Sequence, residues 1–175
     1  NDPGFATQDP EVFSGNKMTY YGRWTYKYEE AARQGAAGAI IIHETASASY
    51  GWKVVKNSWS GPQFDLNRPD KNMSRSAIEG WVQSDVAKEI FALAGKDYNT
   101  LKQAASKGGF KPVPMSVGAS VEVKNTIGYS NTYNVAGVVE GVKHKNETLL
   151  YTAHWDHLGT GPEVNGDSIY NGAVD

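Results

Sequence analysis

The spacing of apolar residues predicts a helix and then a strand near the start of the chain. Tyr28, Ala31 and Ala32 recur at the i, i+3 and i+4 positions that one face of a helix presents. Gly35 stands where such a helix would end in the left-handed conformation. The apolar run 39–42 is short, continuous and rich in β-branched residues, so it predicts a buried strand directly after the helix.

A second strand and two further helices follow in the same pattern. Residues 78–82 are a strand candidate, and Ser84 is expected to cap a helix whose apolar face stops at Gly95. Asn99 is expected to cap another short helix. Between the two strands, residues 45–72 are rich in Ser, Gly, Asn, Pro and Trp, which indicates either a long loop or short strands with long turns.

The pattern changes from helical to strand-like at a boundary near 111–114. Apolar residues alternate with small or polar ones over 117–123, and 133–139 and 148–153 are two more strand candidates. The last of these leads directly into His154. Open α/β sheets present their functional residues at the carboxyl ends of strands, so this position suits a site.

Composition excludes several classes of protein. The chain has no cysteine, which rules out disulfides, cysteine zinc sites and thiol catalysis. Its formal net charge is −2, and the charges are interspersed, so no basic face for a nucleic acid is expected. The longest apolar stretch, GAAGAIII, is far shorter than the ~20 residues that cross a bilayer. No signal peptide is visible at the start, and we expect that upstream residues have been removed.

Candidate chemistry is concentrated in YTAHWDHLG, residues 151–159. On a strand, His154 and Asp156 would point to the same side. A histidine that binds a metal usually donates its other ring N–H to a carboxylate, so Asp156 is expected to orient His154 or to be a ligand itself. A hydrogen-bonded pair at a strand end is the alternative reading. Asp175, in NGAVD, is a second candidate, because a carboxylate can bridge two metal ions.

Three other features carry less weight. His43 begins HETAS, which resembles the start of H-E-x-x-H, but Ser47 stands where the second histidine belongs. His144 lies between lysines in an expected solvated turn. The aromatic residues of NSWSGPQF are expected to pack on their own module or to form a rim over an active-site cleft.

YTAHWDHLGTG followed by GDSIYNGAVD resembles the opening metal motifs of the co-catalytic two-zinc aminopeptidases. That family includes bacterial and yeast vacuolar leucyl aminopeptidases, with glutamate carboxypeptidase II and the transferrin receptor ectodomain as relatives. The resemblance implies that His154 binds one zinc ion, that Asp156 orients it and that Asp175 bridges two zinc ions. It also implies a glutamate general base and further glutamate, aspartate and histidine ligands beyond Asp175, so this chain alone is expected to be inactive.

The earlier segment, with EEAARQGAAGAIII, resembles a protease-associated (PA) domain. The two resemblances together imply an α+β PA domain over 1–112, β-sandwich or barrel-like with flanking helices. They imply that 113–175 forms the first strands of an α/β zinc-peptidase domain, which is truncated. Exposed edges of that partial sheet are expected to allow dimerisation.

The implied activity is removal of N-terminal amino acids from peptides with a free N-terminus, with the PA domain flanking or covering the active site. The complete enzyme would hold two Zn²⁺, and whether this chain binds any metal is left open. A periplasmic or secreted location is what the resemblance implies. The alternatives are a carboxypeptidase or glutaminyl cyclase on the same scaffold, and a non-catalytic PA binding module as in the transferrin receptor.

Overall fold

The structure is a computed structural model that describes residues 9–11, 15, 19–157 and 159–172. The chain divides into two compact units, Asn1–Glu122 and Val123–Asp175. The described residues form a small α+β fold with a two-stranded parallel sheet in the first unit and a hairpin in the second. No helix in the described part of the chain combines the length and the apolar character that crossing a membrane requires.

The first unit begins with the helix and strand that the apolar spacing predicts, and both are confirmed. A 3-10 turn, Tyr20–Gly22, leads into α1 (Trp24–Arg33), and β1 (Gly38–His43) follows. Gly35 has a φ of 77°, the left-handed conformation that ends the helix and turns the chain toward the strand.

Two helices occupy part of the segment expected to be a loop or short strands, so that expectation is wrong for these residues. α2 spans Thr45–Ala48 and α3 spans Trp52–Trp59. The helical period was present in Trp52, Val55 and Trp59, and Val55 is buried. Residues 60–77 contain neither helix nor strand.

The second predicted strand is confirmed as β2 (Ile78–Gln83), which pairs in parallel with β1 from Gly38↔Ile78 to His43↔Gln83. α4 (Ser84–Leu93) and α5 (Tyr98–Ala105) complete the unit. Ser84 is the first residue of its helix and not the cap. The cap of α5 is Asp97 and not Asn99, because the Asp97 carboxylate accepts a hydrogen bond from the Thr100 N–H at 2.7 Å.

The core of the first unit lies where the helices meet the sheet. The Tyr28 hydroxyl donates to the Gly80 carbonyl at 2.8 Å and so ties α1 to β2. Among the described residues this sheet has two strands, fewer than the sandwich or barrel that the PA resemblance implies. The buried apolar side chains are Tyr28, Ile41, Ala48, Val55, Ala87 and Tyr98.

The three strands expected over 117–153 are absent, because residues 111–157 contain neither helix nor strand. The large apolar side chains over 117–153 are exposed, Val135 by 92 % and Val139 by 98 %. A strand has no hydrogen bonds of its own, so an alternating sequence becomes a strand only where a neighbouring strand and an apolar layer are available. The described residues supply neither to this segment.

The second unit contains a hairpin that the apolar pattern did not predict. β3 (Gly159–Val164) pairs antiparallel with β4 (Asp167–Tyr170). Asn165 and Gly166, with φ values of 54° and 85°, form the two-residue turn. The Tyr170 ring lies against Gly161, where an added Cβ would be 2.6 Å from a ring carbon.

Candidate metal centre

The predicted metal motif lies in the irregular segment that precedes β3. The side chains of His154 and Asp156 are 63 % and 87 % exposed. The Nδ1 atom of His154 is 2.7 Å from the backbone carbonyl oxygen of Asp156 and 3.4 Å from its carboxylate Oδ1. The structure thus brings these two residues together, with the carbonyl as the nearer partner of the ring.

This contact determines which ring nitrogen of His154 can bind a metal. A carbonyl oxygen only accepts hydrogen bonds, so Nδ1 carries the proton that it donates. In the neutral ring, the lone pair is then on Nε2, which is the arrangement that metal-binding histidines use. The carboxylate of Asp156 was expected to fix this orientation, and in the structure its backbone carbonyl makes the shorter contact.

His157 joins the first motif to the beginning of the second. Its Nδ1 is 2.8 Å from the carbonyl oxygen of Tyr170, which assigns its proton and its lone pair in the same way. An added Cβ at Gly172 would lie 2.7 Å from Cγ of His157, so the ring packs directly on that glycine. Gly172 belongs to NGAVD, whose last residue, Asp175, lies outside the described residues.

The residues present fit a zinc ion in kind but not in number. An imidazole nitrogen and a carboxylate oxygen are both ligands that zinc accepts, whereas a zinc site needs four ligands in all. Within the described ranges, no three histidine, aspartate or glutamate side chains converge on one point. Only His154 and Asp156 of the predicted site residues can be placed.

His43 has a packing environment at the end of β1. It is 3 % exposed, its ring stacks on Tyr50 at 5.6 Å, and neither ring nitrogen has a hydrogen-bond partner among the described residues. The adjacent Glu44 accepts a hydrogen bond from the Tyr98 hydroxyl at 3.1 Å and forms an ion pair with Lys102. The H-E pair of HETAS therefore serves packing and the attachment of α5.

These contacts shift the pKa values of Tyr98 and Glu44. Burial raises the pKa of the Tyr98 phenol to about 12, and the Glu44 charge adds to the effect. Burial also acts to raise the pKa of the Glu44 carboxyl, but the hydrogen bond and charge of Lys102 outweigh it and hold that pKa below its ordinary value.

Sequence reasoning missed the contact between His157 and the hairpin. The available signal was Asn165–Gly166, since Asn-Gly between apolar residues is typical of a type I′ hairpin turn. Comparisons of the chain with protein-family models, with curated proteins and with solved structures return no match. Inference about function therefore depends on the motifs and on the geometry around His154 and His157.

Proposed function

We propose that this chain is part of a zinc-dependent exopeptidase that removes N-terminal amino acids from peptides. In this proposal, 1–112 is a protease-associated domain beside or over the active site, and 113–175 is the beginning of the catalytic domain. The support is the occurrence of YTAHWDHLGTG and GDSIYNGAVD in that order. The packing of His157 on Gly172, which brings the two motifs into contact, adds to that support.

The chain's own residues would hold and orient the metal. His154 would bind through Nε2, since Nδ1 donates to the Asp156 carbonyl, and the Asp175 carboxylate would be shared between two ions. When bound, zinc lowers the pKa of a bound water and polarises the scissile carbonyl. The contact with the Asp156 carbonyl would leave Nε2 of the His154 ring available to the metal.

A general base and further ligands are needed beyond those of these 175 residues, and we expect the chain by itself to be inactive. A peptide with a free N-terminus is the proposed substrate, and a secreted or periplasmic location is the proposed setting. Dimerisation through exposed sheet edges of 113–175 is also part of the proposal, because an unpaired strand edge can pair with another chain.

The test uses the protein extended past Asp175 by the sequence encoded downstream. Release of p-nitroaniline from leucine p-nitroanilide is followed with and without a zinc chelator, and N-acetyl-leucine p-nitroanilide tests the need for a free amino group. We expect chelator-sensitive release from the first substrate alone. His154→Ala should abolish it, and His144→Ala, which changes an exposed histidine in a turn, should not.

The other outcomes select among the alternatives. A folded, zinc-binding protein that releases no product from either substrate would favour a carboxypeptidase or a glutaminyl cyclase. A folded protein that neither binds zinc nor releases product would favour a non-catalytic binding module and would contradict the proposal.

A further inference from the structure

A cleft of about 850 Å³ opens in the described part of the first unit. Its walls are α1, α3, one face of β2 and the segment 63–75. That volume lies within the ~300–1,000 Å³ range of small-molecule sites. We name it the aromatic cleft, because its lining includes Trp24, Tyr28, Tyr50, Trp59, Phe64 and Trp81.

Trp24 is close to the other two tryptophans of the cleft, and solvent reaches part of this aromatic surface. Trp24 lies 5.4 Å from Trp59 and 6.5 Å from Trp81 between ring centroids. Trp24 is 37 % exposed and Trp59 38 % exposed. Phe64, at the edge of the cleft, is 89 % exposed, a large apolar area for a residue with no covering contact. A ligand with a flat apolar face would remove this area from water.

Charged residues also line the cleft, and their charges cancel. The acids are Glu29, Asp65 and Glu79, and the bases are Arg33, Arg68 and Arg75, so three negative charges meet three positive ones. Arg75 forms ion pairs with both Asp65 and Glu79, and Arg68 lies 3.8 Å from Asp65. An ionic ligand would find no net charge to complement it.

These ion pairs still offer hydrogen bonds to a neutral polar ligand. A guanidinium has five N–H donors, and Arg75 directs three hydrogen bonds to Asp65 and Glu79. A carboxylate has about four acceptor positions. Hydroxyl groups are both donors and acceptors, so they match this mixture without needing a charge.

We propose that the aromatic cleft binds a neutral saccharide. The C–H face of a sugar ring is flat and apolar and packs on an indole, while its hydroxyls match the paired guanidinium and carboxylate groups. A peptide that binds by strand addition fits less well, because that mode needs a sheet edge, and β2 contributes a face of the sheet here. The backbone N–H and C=O groups of α1 and α3 are hydrogen-bonded within those helices and do not offer a peptide a strand to pair with.

The five tryptophans provide the readout, since three line the cleft and Trp52 and Trp155 do not. The ¹⁵N-labelled 175-residue chain is titrated with cellobiose, maltose, lactose, xylobiose and N,N′-diacetylchitobiose at high millimolar concentration. We expect at least one disaccharide to shift the indole N–H signals of Trp24, Trp59 and Trp81 saturably, and to leave that of Trp155 unchanged.

Two variants test the contacts. Trp59→Ala should weaken the best disaccharide by about tenfold or more, as removal of a central aromatic contact does in other interfaces. Phe64→Ala, whose side chain is exposed and does not support the fold, should also weaken it, and it decides the matter if Trp59→Ala fails to fold. Trp155→Ala, at an 81 % exposed tryptophan, is the matched control and should bind as the native chain does.

Three results would overturn the proposal. The first is a panel in which no disaccharide shifts the three cleft signals. The second is that folded Phe64→Ala and Trp59→Ala variants bind as tightly as the native chain. The third is a shift of the same signals by a neutral leucine-rich peptide or by a sulfated disaccharide at lower concentration than by any neutral sugar.

Discussion

The hydrogen bond from Tyr28 to Gly80 allows a quantitative test of how the first unit is held together. Tyr28→Phe removes one hydroxyl and keeps the ring, which packs edge-on against Trp24 at 6.0 Å. Tyr28 is 2 % exposed, so water cannot replace the hydroxyl without a rearrangement. The Gly80 carbonyl then loses a donor that sits 2.8 Å away.

A hydrogen bond of this kind contributes about 1 kcal/mol net, and a partly buried carbonyl left without this donor can raise the cost to about 1–3 kcal/mol. We therefore expect the free energy of unfolding to fall by about 1.5 kcal/mol, roughly a tenfold change in the folding equilibrium. In urea, this corresponds to a midpoint that is about 0.5–1.5 M lower.

The loss of stability caused by Tyr28→Phe should be independent of pH around neutrality. Burial, with the Glu79 charge as a second cause, raises the pKa of the Tyr28 phenol above its ordinary value of 10.0. Because the fold favours the neutral phenol, the contribution of the Tyr28 hydroxyl to stability is complete below about pH 10 and is lost only at higher pH.

Urea unfolding followed by circular dichroism at 222 nm measures the change. Tyr133→Phe, at a tyrosine that is 68 % exposed, is the matched control and should leave the midpoint where it is. A Tyr28→Phe midpoint equal to that of the control would refute the reasoning, since it would mean that the hydroxyl does not tie α1 to β2.

Two further predictions concern the ion pair of α5 and the contact between the motifs. Glu44 has a lowered pKa in the fold, so its contribution to stability is present above its ordinary pKa of 4.5 and is lost as the pH falls through the folded value. Glu44→Gln should lower the urea midpoint at neutral pH and converge with the native chain in acid. Glu147→Gln, at a 79 % exposed glutamate, is the control and should follow the native chain throughout. A midpoint of Glu44→Gln that stays below the native one by the same amount at every pH would contradict this. Gly172→Ala should displace the His157 ring and shift its imidazole ¹⁵N signals toward a mixture of tautomers. Gly137→Ala, where an added Cβ meets nothing within 4 Å, is the control and should leave those signals unchanged. Unchanged His157 signals in Gly172→Ala would contradict the packing.

Local sequence was sufficient where an element is specified by its own period and its own end. α1 and β1 follow from the apolar spacing and from Gly35, whose φ of 77° is available to glycine at little cost. β2 lies at the short strand candidate 78–82. In the second unit, Asn165–Gly166 carries enough information to predict the hairpin turn.

The region 117–153 shows where the pattern was insufficient. Its alternation is typical of half-buried strands, but the structure leaves side chains such as Val139 98 % exposed. A helix satisfies its backbone internally, whereas a strand depends on a neighbour that can be distant in sequence. An alternating apolar pattern therefore predicts a strand only where such a neighbour is present.

In the candidate metal motif too, some features follow from the sequence and others only from the fold. The sequence by itself determined the candidate residues and their order, His154 and Asp156 and then Asp175, because those are a matter of residue identity. Only the tertiary structure decided that the Asp156 carbonyl orients the His154 ring and that His157 packs on Gly172. It alone also assembled the aromatic cleft, whose tryptophans come from α1, α3 and β2. Residue identity sets which bonds a side chain can make, and the packing of elements distant in sequence sets which of them it does make.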